Sequence, residues 1–125
     1  MKYHDSAEMY LETIFILEKK QGHAHVAEIS KALNLSKPSV TKAMALLKNR
    51  SLIHQDDYGP ITLTDKGRTL SQEIYERHIL ITEYLQQAMN LSLEDAEENA
   101  CRMEHVITDS FMESIKAYLN KKDGR

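Results

Sequence analysis

Residues 99–106, Asn-Ala-Cys-Arg-Met-Glu-His-Val, hold three ligand-type side chains: Cys101, Glu104 and His105. On a helix, at about 100° per residue, positions i, i+3 and i+4 fall on one face. A helix through this run gathers a thiolate, a carboxylate and an imidazole on one patch. Mixed sulfur, nitrogen and oxygen ligation suits iron, manganese, cobalt, nickel or zinc rather than calcium. The ordinary alternative is a core, since a lone Cys more often packs as a small hydrophobe. Glu104 favours the metal, because a carboxylate on a largely buried face needs a partner and an unpaired buried charge is costly. With no second Cys the spacing is not that of a zinc finger. Cys101 and His105 share one predicted helix, with no Gly-rich oxyanion turn nearby, so the pair does not read as a catalytic dyad and the chain reads as a non-enzyme.

The elements that must position this patch follow from periodicity and turn chemistry. Residues 6–20 predict an amphipathic helix with Met9, Leu11, Ile14, Phe15 and Leu17 on its apolar face, ended by Gly22. A shorter helix over 25–34 gives way at Asn34, a residue that tolerates left-handed geometry. Ser36 then caps a helix through Lys48, with Pro38 in its first turn. Val40, Ala43, Met44 and Leu47 point inward there, and Lys37, Ser39, Lys42 and Asn49 outward. Two short helices across a tight turn, the second basic outside, form a helix-turn-helix pattern. Strand candidates 52–55 and 61–64 flank an Asp-Asp-Tyr-Gly-Pro turn and read as a wing.

Asp65 is expected to cap a long helix from Lys66, whose stripe is Leu70, Ile74, His78, Ile81 and Leu85, with Tyr84 and Met89 beside it. His78 in that stripe is either a hydrogen-bonded core residue or a ligand. Ser92, with Asp95 three residues on, starts another helix. Its apolar stripe is Leu93, Ala96, Ala100, Met103 and Ile107; a polar one carries Glu97, Cys101, Glu104 and Thr108. A last helix covers about 109–120. The fold class is therefore mainly α: residues 1–70 form a winged helix-turn-helix with a small hairpin wing, and 71–125 an all-helical domain.

Charge is divided in the same way. The 125 residues carry a net charge of −3, yet 31–50 hold five basic residues and no acid, while 91–110 hold six acids and one Arg. The first segment suits phosphate and the second a cation. A mean hydropathy of −0.50, with no apolar run near the roughly 20 residues that span a bilayer, predicts a protein without a membrane partner. Acids stand where a signal peptide has its apolar region, and the single cysteine leaves no internal disulfide, so a reducing cytoplasm is the expected compartment.

Four stretches carry a family resemblance: S-A-E-M-Y-L-E-T-I at 6–14, S-K-P-S-V-T-K at 36–42, L-T-D-K-G at 63–67 and A-C-R-M-E-H-V at 100–106. In order and across nearly the whole chain, they resemble the diphtheria-toxin-repressor family of iron-dependent repressors and manganese transport regulators. The resemblance implies a winged helix, a helical dimerisation domain and a divalent metal bound between them. In the iron branch one site uses residues matched by Met9, Cys101, Glu104 and His105, and a second uses a His matched by His78. That branch adds to the second site a Glu and a His at positions where this chain has Thr82 and Glu97. The short manganese regulators, which lack the SH3-like third domain as this chain does, have acids in place of Met9 and Cys101 and a Glu matching Glu12. His78 with Glu12 is thus a plausible second pair, and Glu97 a further candidate.

The function implied is a homodimeric repressor of metal homeostasis, activated by one or two divalent ions per subunit, with ferrous iron favoured over manganese. Its partner is a palindromic double-stranded DNA operator, contacted by Ser36, Lys37, Ser39 and Lys42. The alternative is a winged-helix regulator of a small organic ligand, with the Cys/Glu/His patch serving as core.

Overall fold

The protein, a computed structural model, is described over residues 4–57 and 59–123, with side chains over 7–57 and 59–121. Its elements run α1 (His4–Gln21), α2 (Val26–Leu33), α3 (Lys37–Asn49), β1 (Ile53–His54), β2 (Thr62–Leu63), α4 (Asp65–Met89), α5 (Leu93–Met103) and α6 (Asp109–Asp123). It is mostly helical with one small antiparallel hairpin, as the periodicity predicts. The chain divides into two compact units, Met1–Gln72 and Glu73–Arg125. Among the described residues no helix is long and apolar enough to cross a membrane.

In the first unit α1 buries Tyr10, Leu11, Ile14 and Phe15, a helical stripe that packs against the helix-turn-helix core. Gly22, at φ 90°, ends α1, its N–H donating to Glu18 O at 2.7 Å. Glu28 stabilises the start of α2 by accepting the His25 N–H at 2.9 Å. Asn34 adopts the expected left-handed conformation, φ 56° and ψ 45°. Ser36 caps α3 as expected, its Oγ accepting the Ser39 N–H at 3.2 Å. The buried face of α3 is Val40, Met44 and Leu47.

The wing is shorter than its sequence signal, two residues per strand in the register Ile53↔Leu63 and His54↔Thr62. The chain after α1 adds to it, since Ala24 and Ile61 exchange N–H···O bonds of 2.9 and 2.8 Å. Glu18 fixes the same region from α1. Its carboxylate accepts from Leu63 N–H at 2.9 Å and from Arg68 Nη2 at 2.7 Å. Residues 18–24 and 61–68, distant in sequence, are thereby locked together in one unit.

Two expectations at α4 need correction. The cap is Thr64, not Asp65: Thr64 Oγ1 accepts the Gly67 N–H at 3.0 Å, and Asp65 is already helical. Met89 does not join the apolar stripe; it is 60% exposed because the helix ends there, whereas Ile74, Ile81 and Leu85 are buried.

The core of the second unit is Ile81, Leu85, Ala96, Ala100, Met112, Ile115 and Leu119. Tyr84 and Tyr118 meet edge to face beside it, centroids 5.3 Å apart. Ser92 caps α5 as expected, accepting the Asp95 N–H at 3.1 Å. Leu93, expected inside, is exposed at the first turn.

Candidate functional site

The helix expected to carry the whole ligand patch stops early. α5 ends at Met103, with Glu104 as its C-cap, and the backbone tightens so that Val106 and Ile107 both donate to Met103 O. Glu104 itself keeps helical angles, its N–H donating to Ala100 O, so the regular spacing from Cys101 reaches Glu104 and is lost beyond it. Glu104 is fully buried and His105 nearly so, whereas Cys101 is exposed. Its position follows from Ala96 and Ala100, which take the inward face of α5 and turn the next residue outward. Glu97, one turn before Cys101, is exposed as well.

What converges in the second unit is His78, Glu104 and His105. His78, half-buried on α4, has Nδ1 2.6 Å from Glu104 Oε1. The other carboxylate oxygen, Oε2, lies 3.5 Å from His105 Nε2 and has no hydrogen-bond partner among the described residues. Tyr75, one turn before His78, stacks over its ring at 6.4 Å with an interplanar angle of 16°. Tyr75 was missed in the sequence, where its spacing of three from His78 was the available signal. Thr82, standing where the iron branch has a Glu, is buried and donates to His78 O at 2.8 Å, so its hydroxyl serves the helix backbone.

The electrostatics point to a cation. The hydrogen bond to Glu104 raises the His78 pKa above its ordinary value, with further help from the charges of Glu104 and Glu97 and against the opposing effect of burial. A carboxylate with no exposure is costly unless positive charge lies beside it. A protonated His78 supplies some; a divalent ion held by carboxylate and imidazole supplies more. The unmatched Oε2 and the two imidazoles make a donor set that fits a transition metal. Glu104, His105 and His78 are the residues of this unit that would hold one.

In the first unit, Met9 and Glu12 lie one turn apart on one side of α1, Met9 half-buried and Glu12 buried. The outward face of α3 carries Lys37, Ser39 and Lys42, all exposed. Ser36 Oγ donates to Ser39 Oγ at 2.8 Å while capping the helix, so both hydroxyls belong to one local network at the N-terminus. The positive end of the helix dipole and the Ser36 and Ser39 hydroxyls, with Lys37 and Lys42 nearby, form a phosphate-compatible face. Lys48, the third lysine of α3, instead donates to Gln55 O in the wing at 2.6 Å.

A winged helix-turn-helix followed by a helical unit with a buried carboxylate–imidazole cluster defines a class of metal-responsive DNA-binding regulators. The family model for the iron dependent repressor N-terminal DNA binding domain matches residues 2–60, and that for the metal binding and dimerisation domain matches 64–123. An uncharacterised HTH-type transcriptional regulator of Methanocaldococcus jannaschii is 31% identical over 117 residues, 93% of this chain and 94% of that protein. The diphtheria toxin repressor of Corynebacterium glutamicum is 31% identical over 105 residues, 84% of this chain. The chain spans 46% of that repressor's length. The crystal structure of T. acidophilum IdeR shares the fold, with a TM-score of 0.80 at 24% identity, over 94% of this chain and 54% of that one. The chain belongs to the iron dependent repressor family, the metal-dependent transcriptional repressors.

Proposed function

We propose that the protein is a metal-activated repressor that binds a palindromic operator as a homodimer and controls metal homeostasis. The observation that carries this reading is Glu104, a carboxylate with 0% exposure flanked by His78 and His105. A bound divalent cation supplies the charge that this carboxylate lacks. Met9, Glu12, Cys101 and Glu97 are the further ligand candidates, which allows one or two ions per subunit. Met9 and Cys101 are soft donors, and thiolate ligation favours ferrous iron over manganese. The family match supports a regulator rather than an enzyme.

On the DNA side, Lys37 and Lys42 supply charge to phosphate, and Ser36 and Ser39 supply hydroxyls at the N-terminus of α3, the end that approaches the major groove. The test is duplex binding by the full chain in anaerobic buffer, titrated with ferrous iron or manganese and with chelator as control. An operator duplex is first obtained by selection from random sequences. Iron is expected to activate at lower free concentration than manganese, and Glu104→Gln to lose the response while remaining dimeric in sedimentation. Binding indifferent to chelator, or a Glu104→Gln variant with the parent's metal response, refutes the proposal. Activation at lower free manganese than iron refutes the metal preference.

A further inference from the structure

The wing of this protein carries the wrong charge for a phosphate clamp. From Ser51 to Thr64 the sequence has no Lys or Arg, and Asp56 and Asp57 stand at the tip. Both are exposed, and the turn that presents them is closed by two bonds. The Gly59 N–H donates to Asp56 O at 2.6 Å and Gln55 Nε2 to Gly59 O at 3.0 Å. Asp57 sits at φ 28°, a left-handed value that Asp accepts better than most side chains. The Lys48–Gln55 bond then fastens this closed turn to the last turn of α3. Asp56 follows Gln55 directly, and consecutive Cα atoms are about 3.8 Å apart. The two carboxylates are thus held near the C-terminal end of the recognition helix. Lys42 lies only about 9 Å back along that helix at 1.5 Å per residue.

A helix seated in a major groove about 12 Å wide has phosphate walls on both flanks. Charges fastened beside it lie within about one Debye length, roughly 8 Å at physiological salt, of such a wall. We propose that the wing is an electrostatic brake on DNA binding. Asp56 and Asp57 oppose the sequence-independent attraction of the basic helix, and Lys48 is the positioning residue that holds them there. Sequence-independent binding scales with net phosphate neutralisation, so two opposing charges lower it on every duplex alike. Affinity then rests more heavily on base contacts, which only a correct site provides.

This inference rests on the repressor reading, and its test separates the two. The metal-loaded full chain is titrated against the selected operator and a scrambled duplex by fluorescence anisotropy across a salt series. The variant Asp56→Asn/Asp57→Asn is expected to bind both duplexes about two- to tenfold more tightly, with a log–log salt slope steeper by about one to two. Lys48→Met, which unfastens the turn, is expected to steepen the slope part of the way to the wing variant's, whereas Lys42→Ala, lost from both subunits, flattens it by about 1.8. Glu94→Gln/Glu98→Gln, an equal charge change in the second unit, is expected to leave binding near the parent's. Parent binding with an unchanged or weakened wing variant overturns the brake alone. So does an unchanged or flattened slope for Lys48→Met, or equal tightening by the second-unit control. A parent chain that binds no duplex with metal present overturns the repressor reading and this inference together.

Discussion

Gly67→Ala is the substitution for which helix propensity and tertiary structure predict opposite signs. Gly67 lies in the first turn of α4, where Ala in place of Gly favours a helix by up to about 1 kcal/mol. A Cβ built there falls 2.0 Å from Leu52 O, 3.0 Å from its carbonyl carbon and 3.3 Å from its Cα. The obstacle is backbone, and that backbone is held from two sides. Leu52 N donates to Leu47 O at 3.0 Å, and Leu52 O accepts from Thr64 N at 3.1 Å. Relieving the overlap needs more than about an ångström of movement, which opens the Thr64–Leu52 bond at the base of the wing. Overpacking costs about 3 kcal/mol at the upper end of its usual range. A lost hydrogen bond adds about 1 kcal/mol. Less the propensity gain of about 1 kcal/mol, the net loss is about 3 kcal/mol. For a unit of this size, that lowers the melting temperature by roughly 12 °C or more. Thermal and urea unfolding followed by circular dichroism measure it directly. A variant as stable as the parent, or more so, would show that Leu52 yields cheaply and would refute the reasoning.

Two further outcomes follow from individual contacts. Glu18→Ala leaves the Leu63 N–H without its acceptor and removes the carboxylate from Arg68, so urea unfolding should show a loss of about 2–3 kcal/mol. Arg68→Ala, with Arg68 well exposed and the Leu63 bond intact, should cost clearly less. Equal losses would show that the ion pair, not the backbone bond, anchors the wing. For His78, the raised folded-state pKa means that its stabilisation is fully present below the ordinary value of 6.5 and is lost as pH rises through the folded value. The metal-free protein should therefore melt at a falling temperature from mildly acidic to mildly alkaline pH. His78→Gln should flatten that dependence; a parent profile flat across this range would contradict the His78–Glu104 geometry. With metal saturating, the trend should reverse, because protons compete for the imidazoles.

Local rules were enough for much of this chain. Asn34 turns left-handed because its own side chain tolerates that region, and Ser36 and Ser92 cap their helices because each accepts the N–H three residues on. The basic outer face of α3 and its buried Val40, Met44 and Leu47 follow in the same way from a 3.6-residue period. The residue types of the candidate site were also legible, since a Cys, Glu and two His are chemically conspicuous wherever they fall. Their arrangement was not. A fixed 100° step groups Cys101 with Glu104 and His105, but it does not say which of them the packing covers. Burial was then settled by the packing of Ala96 and Ala100, which left Cys101 outside, and by α4, which brings His78 to a residue 26 positions away. The same holds for Glu18, which meets Leu63 45 positions later, and for Thr64, which takes the cap from Asp65 where the hairpin leads into α4. Capping and periodicity act over a few bonds and are written in neighbouring residues. A buried carboxylate finds its partners, and a glycine its need for space, only after distant backbone segments have packed together.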